Sequence, residues 1–176
     1  MAQVLSLAQM SEQNPAEYLI YMWYLESMVR GLPEDVDFER FLAQAPDELP
    51  VLGSLKELLP PLRKAMQEEE IMNAPEKHTA PLSALLEKLE TLHKSLLTNE
   101  QEQVYEGVYM PLLPAIVEIR KRSGGHTLGE VEAALVALYG YTFLKQQHQE
   151  TNPATQEIMK KICLWLKVLG EKYMQS

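Results

Sequence analysis

The stretch NPAEYLIYMWYLESMVRG, residues 14–31, decides the fold. It reads as an α-helix with apolar side chains on almost every side, and a helix of that kind is normally an interior one. Asn14 is a good N-cap, Pro15 suits the first helical position, and Glu17 stands where its side chain can reach back to the cap. Gly31 and the proline that soon follows it predict the end of the helix. We therefore expect a buried central helix.

A narrow edge of this helix is polar. Glu26 and Arg30 stand four residues apart, in the order that favours an ion pair on a helix surface. If the pair is exposed, it adds a few tenths of a kcal/mol.

Helical spacing of apolar residues recurs in four later segments, which are 79–98, 100–123, 128–147 and the segment that begins at Asn152. Pro111 and Pro114 interrupt the second of them and predict a kink or a restart between Tyr109 and Pro114. The same prolines enclose the string PLLP, a possible PxxP ligand, but its apolar neighbours predict burial. Thr127, with a glutamate three residues on, predicts a capping box at the third segment.

The remaining segments are less regular. Residues 1–13 carry apolar side chains without a clear cap and form either a short helix or an N-terminal arm. A second short helix is expected to open at Pro33 with Glu34 and Asp35 and to end before Pro46. Pro60 and Pro61 predict a broken or kinked helix, and helix boundaries between Glu34 and Asn73 stay open. Residues 73–79 are the best candidate linker.

Signals for β-strands are weak, because no hairpin dipeptide and no sustained alternation of apolar and polar residues occurs. The predicted fold is therefore all-α, an irregular antiparallel bundle of six or seven helices. A chain of 176 residues is long enough to bury a sizeable core, so residues 1–176 are predicted to form a single domain.

Three strings resemble a known family: residues 14–31, LLPAIVEIR at residues 112–120 and ALYG at residues 137–140. They are similar in type and order to segments of an uncharacterised bacterial family that is catalogued only as a domain of unknown function. The resemblance spans most of the chain and implies an all-helical fold and no activity. Residues 34–73 follow the family pattern poorly.

Charge and composition limit the classes of partner. The formal net charge is −9, and all of it arises in residues 1–76, since residues 77–176 hold as many basic as acidic side chains. An acidic surface repels nucleic acid and anionic membranes, so neither is expected as a general partner. No apolar run approaches the length of a membrane-spanning helix.

The compartment is predicted from the N-terminus and the cysteine count. Residues 1–13 contain no Lys or Arg, so the charged region of a secretory signal is missing. The single cysteine, Cys163, excludes an internal disulfide, and we expect an inert, partly buried thiol in a cytoplasmic protein.

A basic turn is the first candidate site. It combines cations, flexible glycines and the free amides of a helix start, which together can bind a phosphate or carboxylate group. Its members are Arg120, Lys121, Arg122, Gly124, Gly125 and Thr127. An ordinary helix end followed by a new cap has the same composition, so the alternative is a simple helix connection.

Two further sets of residues are candidates for a functional site. A pocket lined by Tyr18, Trp23, Tyr109 and Tyr139 is the second candidate site. Glu90 and His93 form a Glu-x-x-His pair of the kind used by dimetal bundles, but such a site needs two pairs and the chain offers one. We therefore predict no metal and a surface position for His93.

No sequence motif of a known catalytic class or cofactor fold occurs, so no catalytic residue and no cofactor is predicted, and the sequence neither identifies nor excludes a reaction. The excess of large apolar residues favours a helical domain that binds protein, including a second copy of itself. The alternative is a helical enzyme or small-ligand binder with an aromatic pocket, or an anion site at residues 120–127. The small face formed by Ala133, Ala137 and Gly140 predicts a tight helix contact, either with the central helix or across a symmetric dimer.

Overall fold

The computed structural model describes residues 14–37, 40, 43, 52–123 and 128–176. Over these residues the chain is all-α, without a β-strand, which confirms the predicted fold class. The elements are α1 (Pro15–Gly31), α2 (Leu52–Glu68), α3 (Ala80–Leu97), α4 (Gln103–Tyr109), the 3₁₀ turn Met110–Leu112, α5 (Leu113–Arg122), α6 (Glu130–Gln146) and α7 (Pro153–Gln175). The possible arm at residues 1–13 lies outside the described residues. Residues 33–37 form a turn and irregular backbone, so the expected start of a short helix there is wrong, and most of residues 38–45 lies outside the described residues.

The chain divides into two compact units. Unit 1 takes in the described residues between 21 and 83, and unit 2 those between 14 and 20 and between 84 and 176. The divisions fall inside α1 and α3, and the candidate linker at 73–79 lies within unit 1. That the chain forms a single domain stays a prediction.

Two asparagine caps form as the sequence predicts. The Asn14 side chain accepts a hydrogen bond from the Glu17 amide and so caps α1, and its own amide group donates to the Glu17 carboxylate. The Asn152 side chain accepts from the Thr155 amide at 2.7 Å and caps α7.

Unit 1 buries apolar side chains of α1 and α2. The buried set on these two helices is Met22, Trp23, Leu25, Val29, Leu55, Leu59, Leu62 and Met66. Helix α2 runs through Pro60 and Pro61 as one element, so of the two predicted alternatives the break is wrong and the kink stays a prediction. The central helix is buried along most of its length, although Tyr24 is exposed.

Glu26 of α1 holds the end of the linker in unit 1. Its carboxylate is fully buried and accepts hydrogen bonds from the Thr79 amide and the Thr79 hydroxyl, at 2.9 and 3.1 Å. The other oxygen lies 2.6 Å from Nδ1 of His78. The His78 ring also stacks on Trp23, with ring centroids 4.4 Å apart.

Arg30 of α1 holds the same linker nearer its start. Its guanidinium donates to the carbonyl oxygens of Ile71, Ala74 and Lys77, the last at 2.7 Å. The exposed pair considered for Glu26 and Arg30 is therefore wrong. Both side chains bond instead to groups of residues 71–79, which gives the fully buried Glu26 carboxylate the partners that a buried charge needs.

Unit 2 is built around α4 to α7. Helix α5 packs on α6, α6 packs on α7, and α7 packs on α4 and on the 3₁₀ turn. The turn stands where Pro111 and Pro114 predict a restart, so that prediction is confirmed. Gly170 of α7 lets Pro15 approach closely, since a Cβ there would lie 3.3 Å from the proline ring.

Candidate functional site

A buried chain of hydrogen bonds links four helices of unit 2. His93 of α3 is fully buried, with Nε2 2.6 Å from the Glu130 carboxylate and Nδ1 2.7 Å from the Tyr105 hydroxyl. Trp165 of α7 donates from its indole nitrogen to that hydroxyl at 2.9 Å. The prediction of a surface histidine is therefore wrong. We call Trp165, Tyr105, His93 and Glu130 the buried relay.

One protonation state satisfies each donor of the buried relay. Since Trp165 donates to the Tyr105 oxygen, the tyrosine can give its own proton to Nδ1 of His93. The histidine then carries its proton on Nε2 and donates it to Glu130. A neutral imidazole thus fits between a phenol and a carboxylate, and hydrogen bonding fixes its tautomer.

The electrostatics agree with that assignment. Burial lowers the pKa of His93, and the hydrogen bond to Glu130 opposes this effect only in part. Burial also raises the pKa of Glu130, but the hydrogen bond from His93, together with the nearby Tyr109 hydroxyl and Arg120 guanidinium, more than compensates, so the carboxyl stays ionised. Burial raises the pKa of Tyr105 well above its usual range. The interior therefore holds a neutral histidine, a neutral phenol and one partly exposed carboxylate.

Tyr109 lies beside the buried relay. Its ring packs on His93 and Trp165, with centroids 4.6 and 4.9 Å apart. Its hydroxyl interacts with the Glu130 carboxylate, though without a partner at good hydrogen-bond geometry among the described residues. Burial, with the nearby carboxylate, raises its pKa far above the usual value. The hydroxyl therefore stays protonated.

Glu90 meets the start of α6. Its Oε1 accepts a hydrogen bond from the Glu132 amide at 2.8 Å, so a side chain of α3 satisfies a free amide of α6. A Cβ on Gly129 would overlap the Glu90 carboxylate, which explains a glycine at this position. Helix α6 begins at Glu130 with Gly129 at its N-cap, so the predicted capping box of Thr127 is wrong. Thr127 itself lies outside the described residues.

The pKa of Glu90 is raised. Burial is the main cause, and the neighbouring Glu132 and Glu130 carboxylates add to it, while the Glu132 amide opposes it. Among the described residues, no group of three or more His, Cys, Asp or Glu side chains could hold a metal ion. Of the Glu-x-x-His pair, the histidine instead connects helices through buried hydrogen bonds, and the glutamate caps the start of a helix.

The basic turn is described only in part. Nη1 of Arg120 lies 3.8 Å from the Glu130 carboxylate, and Arg122 donates to Glu118 at 2.9 Å. Lys121 is exposed. Gly124, Gly125 and Thr127 lie outside the described residues, so anion binding at this turn stays a prediction.

The four pocket candidates lie in different surroundings. Trp23 is buried in unit 1 against His78, whereas Tyr109 is buried in unit 2 against the buried relay. Tyr18 and Tyr139 are half-buried in unit 2. A shared aromatic pocket stays a prediction.

One cavity of about 570 Å³ lies between α3 and the end of α7 in unit 2. Its wall consists of Ala84, Glu87, Lys88, Thr91, Leu92, Ser95, Tyr173 and Ser176, none of which is a pocket candidate. Most of these residues are exposed, whereas ligand pockets are mainly apolar and enclosed. We therefore base no proposal on this cavity.

An apolar face on α4, the 3₁₀ turn and α5 is open to solvent. Residues 107–117 contain no charged side chain, yet several of them point outward. Val104 is 81% exposed, Met110 41% and Val117 39%, and Gly107, Pro111 and Pro114 are also exposed. Apart from the adjacent Met110 and Pro111, these six residues recur at intervals of three, opposite the buried Tyr105, Tyr109, Leu112 and Ile116, and we call them the apolar face.

Three smaller predictions are corrected here. Pro111 and Pro114 are exposed rather than buried, but in helical backbone and not in the extended form that PxxP-binding domains take. Cys163 is exposed rather than partly buried, and local desolvation raises the pKa of its thiol. A Cβ on Gly140 would meet no atom within 4 Å, so this glycine makes no tight helix contact with the part of the chain that the structure describes, and a contact across a symmetric dimer stays a prediction.

Fold and geometry together define an all-α helical-bundle protein with a buried polar relay and an exposed apolar face. In the part of the chain that the structure describes, no helix has the length and hydrophobicity to cross a membrane. The chain belongs to the family described as Domain of unknown function (DUF4924), whose model matches residues 5–176. This confirms the resemblance seen in the sequence. No curated protein and no solved structure matches the chain.

Sequence reasoning missed the buried relay and the linker contacts of Glu26 and Arg30. The Glu-x-x-His spacing singled out Glu90 and His93, but their partners are contributed by other helices. The uncharged run at 107–117 was the available signal for the apolar face, because its outward positions lack the charges typical of a solvated helix.

Proposed function

We propose that this protein is an interaction domain that binds protein, including a second copy of itself, through the apolar face. The main observation that supports this proposal is the uncharged run at residues 107–117, whose outward side chains remain exposed. Exposed faces of helices are normally charged or polar, and a contiguous apolar patch on a protein surface commonly marks a binding site.

The rest of unit 2 supports a binding role over catalysis. The polar groups of the buried relay satisfy one another, and Trp165, Tyr105 and His93 are fully buried, so no substrate reaches them. Rigid helices fixed by such a network can present a surface at small entropic cost on binding. The lone Cys163 also suits a reducing compartment, and a bacterial, cytoplasmic setting remains part of this proposal.

Sedimentation velocity tests the proposal, with Val104→Asp and Val117→Asp combined in one variant. We expect wild-type chain to associate reversibly between about 10 and 500 μM and the variant to stay monomeric, because a buried carboxylate would face an apolar partner. The matched control is Val136→Asp with Leu164→Asp, two exposed apolar residues on α6 and α7. A wild-type chain that stays monomeric and has no affinity for another protein would contradict the proposal.

A further inference from the structure

The charges around the apolar face are opposite at its two ends. Before the face, the exposed Glu100 lies in the turn that precedes α4, and the exposed Glu106 lies between Val104 and Gly107. After the face, the exposed Lys121 and Arg122 make the surface basic. Glu118, near the basic end, is already paired with Arg122. Within one chain this order suits the helix dipole. Between two antiparallel copies, the acidic end of one would meet the basic end of the other.

The apolar residues are also symmetric about the centre of the face. Val104 stands six residues before Met110, and Val117 stands six residues after Pro111. Glu100 and Lys121 stand ten residues before and after the same two positions. An axis through the 3₁₀ turn would therefore match apolar with apolar and acid with base.

We propose that a second copy of this chain occupies the apolar face, with the two copies antiparallel about a two-fold axis at Met110 and Pro111. Val104 of each copy then packs on Val117 of the other, and Glu100 of each meets Lys121 of the other. Such an interface is isologous and closes at the dimer. This inference rests on the proposed function and specifies its partner and geometry.

The size of the face sets the expected strength. A strip along α4, the 3₁₀ turn and α5, from Gln103 to Arg122, is roughly 30 Å long and about 10 Å wide, or about 300 Å² per copy, from the dimensions of a helix. Stable interfaces bury about 800 Å² per partner, so this dimer is weak and reversible. Micromolar concentrations and low ionic strength are therefore the conditions in which to observe it.

Two single charge reversals test the geometry. In Glu100→Lys alone, and in Lys121→Glu alone, both contacts of the dimer join like charges, so each variant should associate at least fivefold more weakly than wild type at low salt. Mixing the two variants restores opposite charges at both contacts, and the mixed dimer should form within about twofold of the wild-type affinity. Sedimentation equilibrium measures the three affinities, and circular dichroism confirms that both variants fold.

The mixture is decisive because no contact within one chain can explain recovery between two different variants. Recovery on mixing supports the inference. Wild-type dimers that neither reversal weakens, or weakened variants that do not recover on mixing, overturn the antiparallel geometry but leave the proposed function standing. A wild-type chain without self-association at 500 μM or below overturns both the geometry and the self-binding part of the function.

Discussion

His93 shows how one buried side chain can tie several helices together. It accepts from Tyr105 of α4 and donates to Glu130 of α6, while Trp165 of α7 donates to the same tyrosine. Removing one member of such a network leaves the others buried without partners, and that cost exceeds the net value of a typical hydrogen bond.

Replacing His93 with glutamine should destabilise the protein. The amide cannot bond both Tyr105 and Glu130 at the positions of the two ring nitrogens, so we expect a loss of about 2–4 kcal/mol in unfolding free energy. Urea unfolding followed by circular dichroism measures it. The exposed His148→Gln is the control and should change stability by less than about 0.5 kcal/mol.

Wild type and His93→Gln also test the protonation state of His93. The pKa of His93 is lower in the folded chain than its ordinary value of about 6.5, so below that pH the unfolded chain binds the proton more readily. The contribution of His93 to the free energy of unfolding is complete above about pH 6.5 and is lost as the pH falls towards the folded-state pKa. The stability difference between wild type and His93→Gln should therefore shrink in that range. A constant difference would contradict a neutral, buried His93.

Gly129 should be needed only because Glu90 is present. Gly129→Ala should cost about 1–3 kcal/mol, since the added methyl group displaces the carboxylate that caps α6. In a Glu90→Ala background the same change should be nearly neutral. Chemical denaturation of wild type, the two single variants and the double variant gives the coupling free energy between the two positions. Gly140→Ala, in open space, is the control and should stabilise the helix by up to about 1 kcal/mol. An equal cost of Gly129→Ala in both backgrounds would refute the steric account.

At the scale of elements, local sequence signals predicted the helix caps and the helix restart correctly. Contacts between residues that are distant in sequence were not predicted. Asn14 and Asn152 cap as expected, because a cap and its amide stand three residues apart. Pro111 and Pro114 forced a restart through backbone chemistry alone. Glu26 and Arg30 instead bind a linker that lies 41 to 53 residues away, and no helix periodicity encodes that choice.

A substitution at Glu26 can test whether its contacts hold the linker in place. Glu26→Ala removes the oxygen that accepts from both the amide and the hydroxyl of Thr79, so amide exchange at Thr79 should accelerate tenfold or more, as expected for a charged hydrogen bond of about 1.5–3 kcal/mol. Hydrogen exchange followed by NMR resolves this amide. Glu76→Ala, an exposed carboxylate of the same linker, should leave its exchange rate unchanged. Unaltered protection in Glu26→Ala would mean that other contacts hold the linker.

At the scale of the whole molecule, charge is distributed unevenly along the chain. The net charge of −9 arises entirely before residue 77, which leaves the basic turn in the electrically balanced part of the sequence. There, Arg120 and Arg122 already lie near Glu130 and Glu118. Any anion must therefore compete with two carboxylates, and its binding should be weak and sensitive to salt.

Thermal unfolding in the presence of inorganic phosphate tests the anion site. A ligand that binds only the folded state raises the melting temperature, so wild type should be stabilised at low ionic strength and Arg120→Ala with Arg122→Ala should not. Lys160→Ala with Lys161→Ala, two exposed cations on α7, is the matched control. An identical response in wild type and the double arginine variant would reduce the turn to a helix connection.

The two tryptophans of the chain give each compact unit an optical reporter of its own. Trp23 is buried against His78 in unit 1, and Trp165 is buried beside Tyr105 in unit 2. In Trp165→Phe, indole emission reports unit 1 alone, while far-ultraviolet circular dichroism reports both units. If the chain is a single cooperative domain, the two signals should change at the same denaturant concentration, as two-state unfolding requires. Separated transitions would show that the two units melt independently.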